Sequence, residues 1–420
     1  MAVVVGGLPA RALADEPFRI AVTGLIPGSD VTIDVQLANC MGADWRGTFS
    51  ATADRAGILD LTGARLTGFA EPDPTTLLWA LEPDAEPDPE TANAADARGT
   101  LTVRDGDRAL AVHEFARVFR DRAVSCTELD RPLAGQLYLP AGPGPHPAVI
   151  TVSGSGGGIA REEAALLASR GFACLALAYF NYPGRPPELV DQPLEYFGTA
   201  LEWLAAHPQV RADAIAVKGN SRGGELSLLL GSTYPALRAV VAVVPSGYIW
   251  GAARIDWSDG AAWTWQGEPL PRVPLAEERE GERAEEAAAD EAIRLTPGFL
   301  AALAHAGPQD LADAAIPVER TNGPVLMLCG ETDDMWPSLE LTDVVLRRTS
   351  EAGFPHPIQR LAFPDAGHLI TLPYLPVRTS GQHPLGGRFA YGGTRAGTAA
   401  ARAAAWREML AFLRTALSAQ

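Results

Sequence analysis

The sequence predicts a chain in two parts: an all-β sandwich over residues 1–125, then a doubly wound α/β domain with a mostly parallel sheet over residues 126–420. Three observations predict it. Short segments of alternating apolar and polar residues fill the first part. Runs of five to eight β-branched and small apolar residues, separated by helix-length stretches, fill the second. A chain of 420 residues that is 47% hydrophobic can also bury large cores without staples.

In the first part, residues 19–25 and 31–37 alternate on either side of a turn at Pro27 and Gly28, and 47–53, 57–61, 99–103 and 110–115 are further short strands. Frequent turns with no long helical period point to two antiparallel sheets. Residues 82–96 are rich in Pro, Asp and Glu and belong in a solvated loop. In the second part, strands are expected at 148–152, 173–178, 214–218, 239–244, 325–329 and 358–363, and helices at 161–169, 193–206, 224–234 and 397–417. The interval of about 246–315 breaks this rhythm. No clear strand is expected there, and Trp250, Trp257, Trp263 and Trp265 precede an acidic stretch at 277–291. An excursion of that length in a compact domain is usually a lid or binding loop, although a helical insertion whose tryptophans pack on the sheet also fits.

The 51 acidic and 34 basic residues leave a net charge of −17, which excludes a nucleic-acid binder that relies on a clustered Lys/Arg surface. A small or neutral partner is expected. Residues 71–97 hold eight acidic side chains and no basic one, and 277–291 hold eight against two, so most of the charge lies in two surface segments. Repulsion of an anionic substrate is then local, and Arg161, Arg222 or Arg254 can outweigh it at a cavity mouth. Cys40, Cys126, Cys174 and Cys329 stand singly, without metal or redox spacing, so no metal and no cofactor are expected. The longest apolar runs fall far short of the roughly 20 residues that span a bilayer. No leader or retention signal is evident, which points to the cytoplasm.

Chemistry is sought at strand ends. Gly219-Asn220-Ser221-Arg222-Gly223 lies between an expected strand and an expected helix, the context in which a serine is held on a strained turn. A serine hydroxyl needs a histidine to take its proton, and that histidine needs a carboxylate to orient it. Asp333 follows the strand at 325–329, with Asp334 as a competitor that pattern cannot separate; His368 follows the strand at 358–363. The order Ser221, Asp333, His368 is that of the α/β-hydrolases. His146, His207 and His356 sit beside prolines, and His113, His305 and His383 follow no parallel strand, so surface or packing roles are expected for all six. Oxyanion donors are expected from the amide of Arg222 and from Gly156 or Gly157 in the loop after the first parallel strand. That loop lacks the Gly-Lys-Ser/Thr ending and the Gly-x-Gly-x-x-Gly spacing of a phosphate cradle.

These residues resemble the acyl-CoA thioesterases related to bile acid-CoA:amino acid N-acyltransferase. The resemblance rests on Leu77-Leu78-Trp79-Ala80-Leu81-Glu82-Pro83, on Ala176-Leu177-Ala178-Tyr179-Phe180-Asn181-Tyr182, and on Ser221-Arg222-Gly223-Gly224-Glu225-Leu226. It continues through Gly330 to Trp336, Ala366-Gly367-His368-Leu369-Ile370 and Tyr391-Gly392-Gly393. It implies a β-sandwich followed by an α/β-hydrolase domain that cleaves an acyl thioester through an acyl-enzyme on Ser221. The thioester would be linked to coenzyme A or to an acyl carrier protein. Members that transfer the acyl group to glycine or taurine usually carry cysteine at the elbow, so Ser221 favours water as acceptor; transfer to an amine or alcohol, or carboxylesterase action, are the alternatives. Substrate contacts are expected from Tyr179, Tyr182, Trp250, Trp257, Trp263, Trp265 and Trp336, and the tryptophans favour an aromatic, branched or polyketide-like acyl group. The altered excursion at 250–291, and Leu372 where the family pattern has proline, set this chain apart.

Overall fold

The computed structural model describes residues 2–87, 96–129, 131–254, 259–274, 292–384 and 386–418. The chain divides into two compact units. The first comprises residues 1–121 together with 372–378. Its larger sheet is antiparallel around four long strands, β1 (Asp30–Cys40), β2 (Ala43–Thr52), β3 (Ala97–Asp105) and β4 (Arg108–Val118), in the order β4-β3-β1-β2. Val31, Ile33, Val35 and Leu37 of β1 are buried, and Ile33 stands opposite both Phe49 and Val103. Because side chains alternate with a period of two, slipping this register by one residue would expose the whole set. A second sheet joins Val4–Gly6, Ala21–Thr23 and Leu59–Asp60. The segment 372–378, expected within the catalytic part, groups instead with this unit: the Val377 amide donates to the Trp79 carbonyl at 3.1 Å, and Tyr374 meets the Phe18 ring edge-on.

The second unit holds an eight-stranded sheet built from β5 (Ser125–Glu128), β6 (Gly135–Leu139), β7 (His146–Val152), β8 (Ala173–Leu177), β9 (Val210–Asn220), β10 (Leu237–Val243), β11 (Val325–Gly330) and β12 (Ile358–Phe363). Their order is β5-β6-β8-β7-β9-β10-β11-β12. The β5–β6 and β6–β8 pairs are antiparallel and every later pair is parallel. The apolar runs of β8, of β10 from Ala239 onward and of β11 follow from burial on both faces. Helices α1 (Arg161–Ser169), α2 (Leu194–Ala205), α3 (Arg222–Thr233), α4 (Thr296–His305) and α5 (Arg395–Ala416) accompany the sheet. The strand order reverses at β7, and the crevice beyond the carboxyl ends of strands at such a point is where open α/β sheets bind ligands.

The Trp-rich interval differs from expectation. Trp263–Trp265 forms a short strand, parallel to Gln192–Pro193 and antiparallel to Glu268–Pro269. Trp257 and the acidic stretch at 277–291 lie outside the described residues. Among the described residues, no helix is long and apolar enough to cross a membrane and no side-chain cluster could hold a metal ion.

Candidate active site

Ser221 joins β9 directly to α3, with φ 57° and ψ −121°. An L-residue in that region stores about 1–3 kcal/mol of strain, sustained only when the surroundings over-determine it. Here they do. A Cβ on Gly219 would stand 2.1 Å from the Gly223 carbonyl oxygen, and one on Gly223 would stand 2.4 Å from that of Ser153. Glycine at both positions is what lets β9, α3 and the loop after β7 meet. Arg222 opens α3, where helical amides have no partner within the helix.

Asp333 follows β11 and its Oδ1 accepts the amides of Met335 and Trp336 at 2.9 and 3.3 Å. Both its carboxylate oxygens also face His368 Nδ1, at 3.0 and 2.8 Å. The backbone amide of His368 donates to the Tyr391 carbonyl at 2.7 Å, which fixes the loop after β12. Asp334 turns away and pairs with Arg294 at 2.6 Å. The two adjacent carboxylates are thus separated by geometry.

Ser221 and His368 line one cavity of about 120 Å³. Its apolar wall is a chain of edge-on aromatic contacts from Trp250 to Phe299 to Trp336 to the His368 ring, with centroid distances of 4.7, 5.9 and 6.3 Å. The indole N–H groups anchor that wall: Trp250 donates to Ser246 Oγ at 2.9 Å and Trp336 to the Val244 carbonyl at 2.8 Å. Ser155 and His383 also line the cavity.

Several expected contacts fall elsewhere. Tyr179 is fully buried, and its hydroxyl donates to the Ser153 carbonyl at 2.6 Å, so it braces the loop after β7 instead of lining the cavity. Tyr182 donates to Glu128 at 2.6 Å and borders a separate groove. Trp263 is fully buried, and Trp265 packs edge-on against Tyr234. Gly157 is not the expected donor: its amide donates to the Gly154 carbonyl at 3.0 Å within a turn. The Gly156 carbonyl is tied back by the Asn181 side-chain amide at 2.8 Å. Of the arginines expected at the mouth, Arg222 and Arg254 line the cavity, whereas Arg161 donates to Gln136 at 3.1 Å. The Arg222 guanidinium is buried, donating to the carbonyls of Trp250 and Gly251 at 3.0 and 2.9 Å and pairing with Glu225 at 3.2 Å.

Glu225 itself is fully buried, one turn into α3. Burial pushes its carboxyl up to about 7, against the pull of Arg222 and of N–H donors from Trp263 and Trp250. It links the helix that follows Ser221 to Trp250 and Trp263.

A model described as the acyl-CoA thioester hydrolase/BAAT N-terminal region matches residues 15–131, and one for the BAAT/acyl-CoA thioester hydrolase C-terminal region matches residues 192–419. The mitochondrial acyl-coenzyme A thioesterase 2 of Mus musculus is 32% identical over 98% of this chain and 88% of its own. The acyl-coenzyme A thioesterase 1 of Homo sapiens is 33% identical over 96% of this chain and 94% of its own. The chain belongs to the acyl-CoA thioester hydrolase/BAAT family. Among solved structures, this family member is similar to a dienelactone hydrolase-like phosphotriesterase from metagenomic libraries, at 19% identity and a TM-score of 0.43 over 70% of this chain and 100% of that one.

Glu225, Ser155, His383 and Phe299 stand at the site without having been expected there from the sequence. Glu225 left a signal, as a lone carboxylate in the apolar run that follows the elbow. Ser155 and His383 left none, because they lie 228 residues apart.

Proposed function

We propose that the protein is a serine thioesterase that hydrolyses acyl-CoA thioesters through an acyl ester on Ser221. The observation that carries it is the pair of Asp333–His368 hydrogen bonds inside the cavity that Ser221 lines. With Nδ1 held by Asp333, Nε2 is the nitrogen that takes the Ser221 proton as Oγ attacks the thioester carbonyl. The C–S bond breaks as the imidazolium returns that proton to the leaving sulfur, which departs as coenzyme A thiol. Water then adds to the ester, giving its proton to His368, and the free acid leaves as Ser221 is reprotonated. The amides of Arg222 and Gly156 are the backbone donors assigned to the developing oxyanion.

Coenzyme A is the carrier that the relatives' names support; equal turnover of an acyl carrier protein thioester would overturn that choice. The aromatic wall supports a compact aromatic or branched acyl group, which a substrate panel would refute if long straight-chain acyl-CoAs outpaced every bulky one. Four cysteines with no disulfide between any of them are in keeping with a reducing compartment such as the cytoplasm.

The decisive experiment is Ser221→Ala. It should abolish fluorophosphonate labelling and lower acyl-CoA hydrolysis, followed as released thiol, by on the order of 10⁴-fold or more. Label retained on another residue, or thioesterase activity retained, would refute the assignment.

A further inference from the structure

We infer that the Ser155 hydroxyl is a side-chain donor to the acyl carbonyl oxygen in the transition state, with His383 as its positioning residue. This rests on the thioesterase reading above. Gly154 packs directly on the nucleophile: a Cβ built there would stand 3.3 Å from Ser221 Cβ and 3.8 Å from Ser221 Oγ. The next residue, Ser155, therefore begins at the reacting centre, and its side chain shares the cavity with Ser221 and His368.

Ser155 Oγ lies 2.9 Å from His383 Nε2. The histidine is held in turn, its amide donating to the Gly387 carbonyl at 3.0 Å and its ring standing edge-on to Phe389 at 5.8 Å. Burial, reinforced by the nearby His368, pushes its pKa down to about 4, so it is neutral at working pH. A neutral ring with its proton on Nε2 donates to Ser155 Oγ, and the serine's own hydrogen is left to point at the substrate oxygen. Two amides of this loop are already committed. The amide of Gly157 goes to Gly154, and that of Gly158 goes to the Phe180 carbonyl at 3.0 Å. A hydroxyl presented beside the nucleophile adds a side-chain donor to the amides of Arg222 and Gly156, where those of Gly157 and Gly158 are already engaged.

The test measures acyl-CoA turnover and the rate of fluorophosphonate labelling in Ser155→Ala, Ser155→Thr, His383→Leu and the Ser155→Ala/His383→Leu double variant, with melting temperatures as a check on folding. Removing one oxyanion donor lowers kcat by on the order of 10²-fold, so Ser155→Ala should lose about that much with KM little changed and a matching loss in labelling rate. Ser155→Thr should recover most of it. The double variant should be no slower than Ser155→Ala, because His383 acts through the hydroxyl. Rates unchanged in Ser155→Ala, or equally low in Ser155→Thr, would overturn the donor role. Multiplying losses in the double variant would overturn the role of His383. Labelling does not depend on a thioester. If the wild type labelled at Ser221 but hydrolysed no acyl-CoA, the thioesterase reading would fail while this inference was still decided on the labelling rates.

Discussion

At the scale of single residues, Asp333 and Asp334 carry the same functional group one position apart and face different partners. Asp333 is held by two backbone amides and turned onto His368, whereas Asp334 sits in an exposed pair with Arg294. Asp333→Asn should lower kcat by about 10³ to 10⁴-fold, as expected when the histidine loses the carboxylate that sets its tautomer. Asp334→Asn should stay within about threefold of wild type, since an exposed ion pair contributes little. Steady-state kinetics on both variants checks the assignment, and a reversed order would exchange the two roles. Sequence pattern could not separate them, because both follow the same strand and the choice depends on which carboxylate the loop turns toward His368.

At the scale of elements, the elbow was legible because its requirements are local. The strained serine, the glycines two positions away on each side, and the change from strand to helix all fall within a few residues. Gly223→Ala tests it. The added methyl would meet the Ser153 and Val152 carbonyl oxygens at 2.4 and 2.7 Å, so backbone must move, and overpacking of that kind costs about 1–3 kcal/mol. The melting temperature should fall by several degrees and fluorophosphonate labelling should slow; wild-type behaviour in both would contradict the packing. The tryptophan interval was harder to read. Its four indoles suggested a substrate surface, but Trp263 entered a short strand beside Gln192–Pro193 and turned its N–H to Glu225 at 2.7 Å. A partner strand seventy residues earlier leaves no trace in local composition.

At the scale of the whole molecule, the buried Arg222–Glu225 pair links stability to pH. The folded-state pKa of Glu225 is raised to about 7 from an ordinary carboxyl near 4.5. Between those values the folded chain binds more protons than the unfolded one, so its contribution is complete below about 4.5 and is lost as pH rises toward 7. Glu225→Gln removes that dependence. The melting temperature of the variant minus that of wild type should therefore increase from pH 5 to pH 7.5. A difference that stays flat across this range would mean that the carboxylate is already ionised in the fold at pH 5. His383 titrates in both proteins, so its contribution cancels in the difference. The two-part architecture, the parallel strands, the elbow and the chain order of Ser221, Asp333 and His368 were determined by the sequence itself, because periodicity, turns and strand ends are set by neighbours a few residues away. Which carboxylate meets His368, which tryptophans form the wall, why Glu225 is buried and how Ser155 meets His383 were decided only in the tertiary structure. Those are convergences of side chains from distant segments, and their partners are chosen by where the sheet brings its strand ends together.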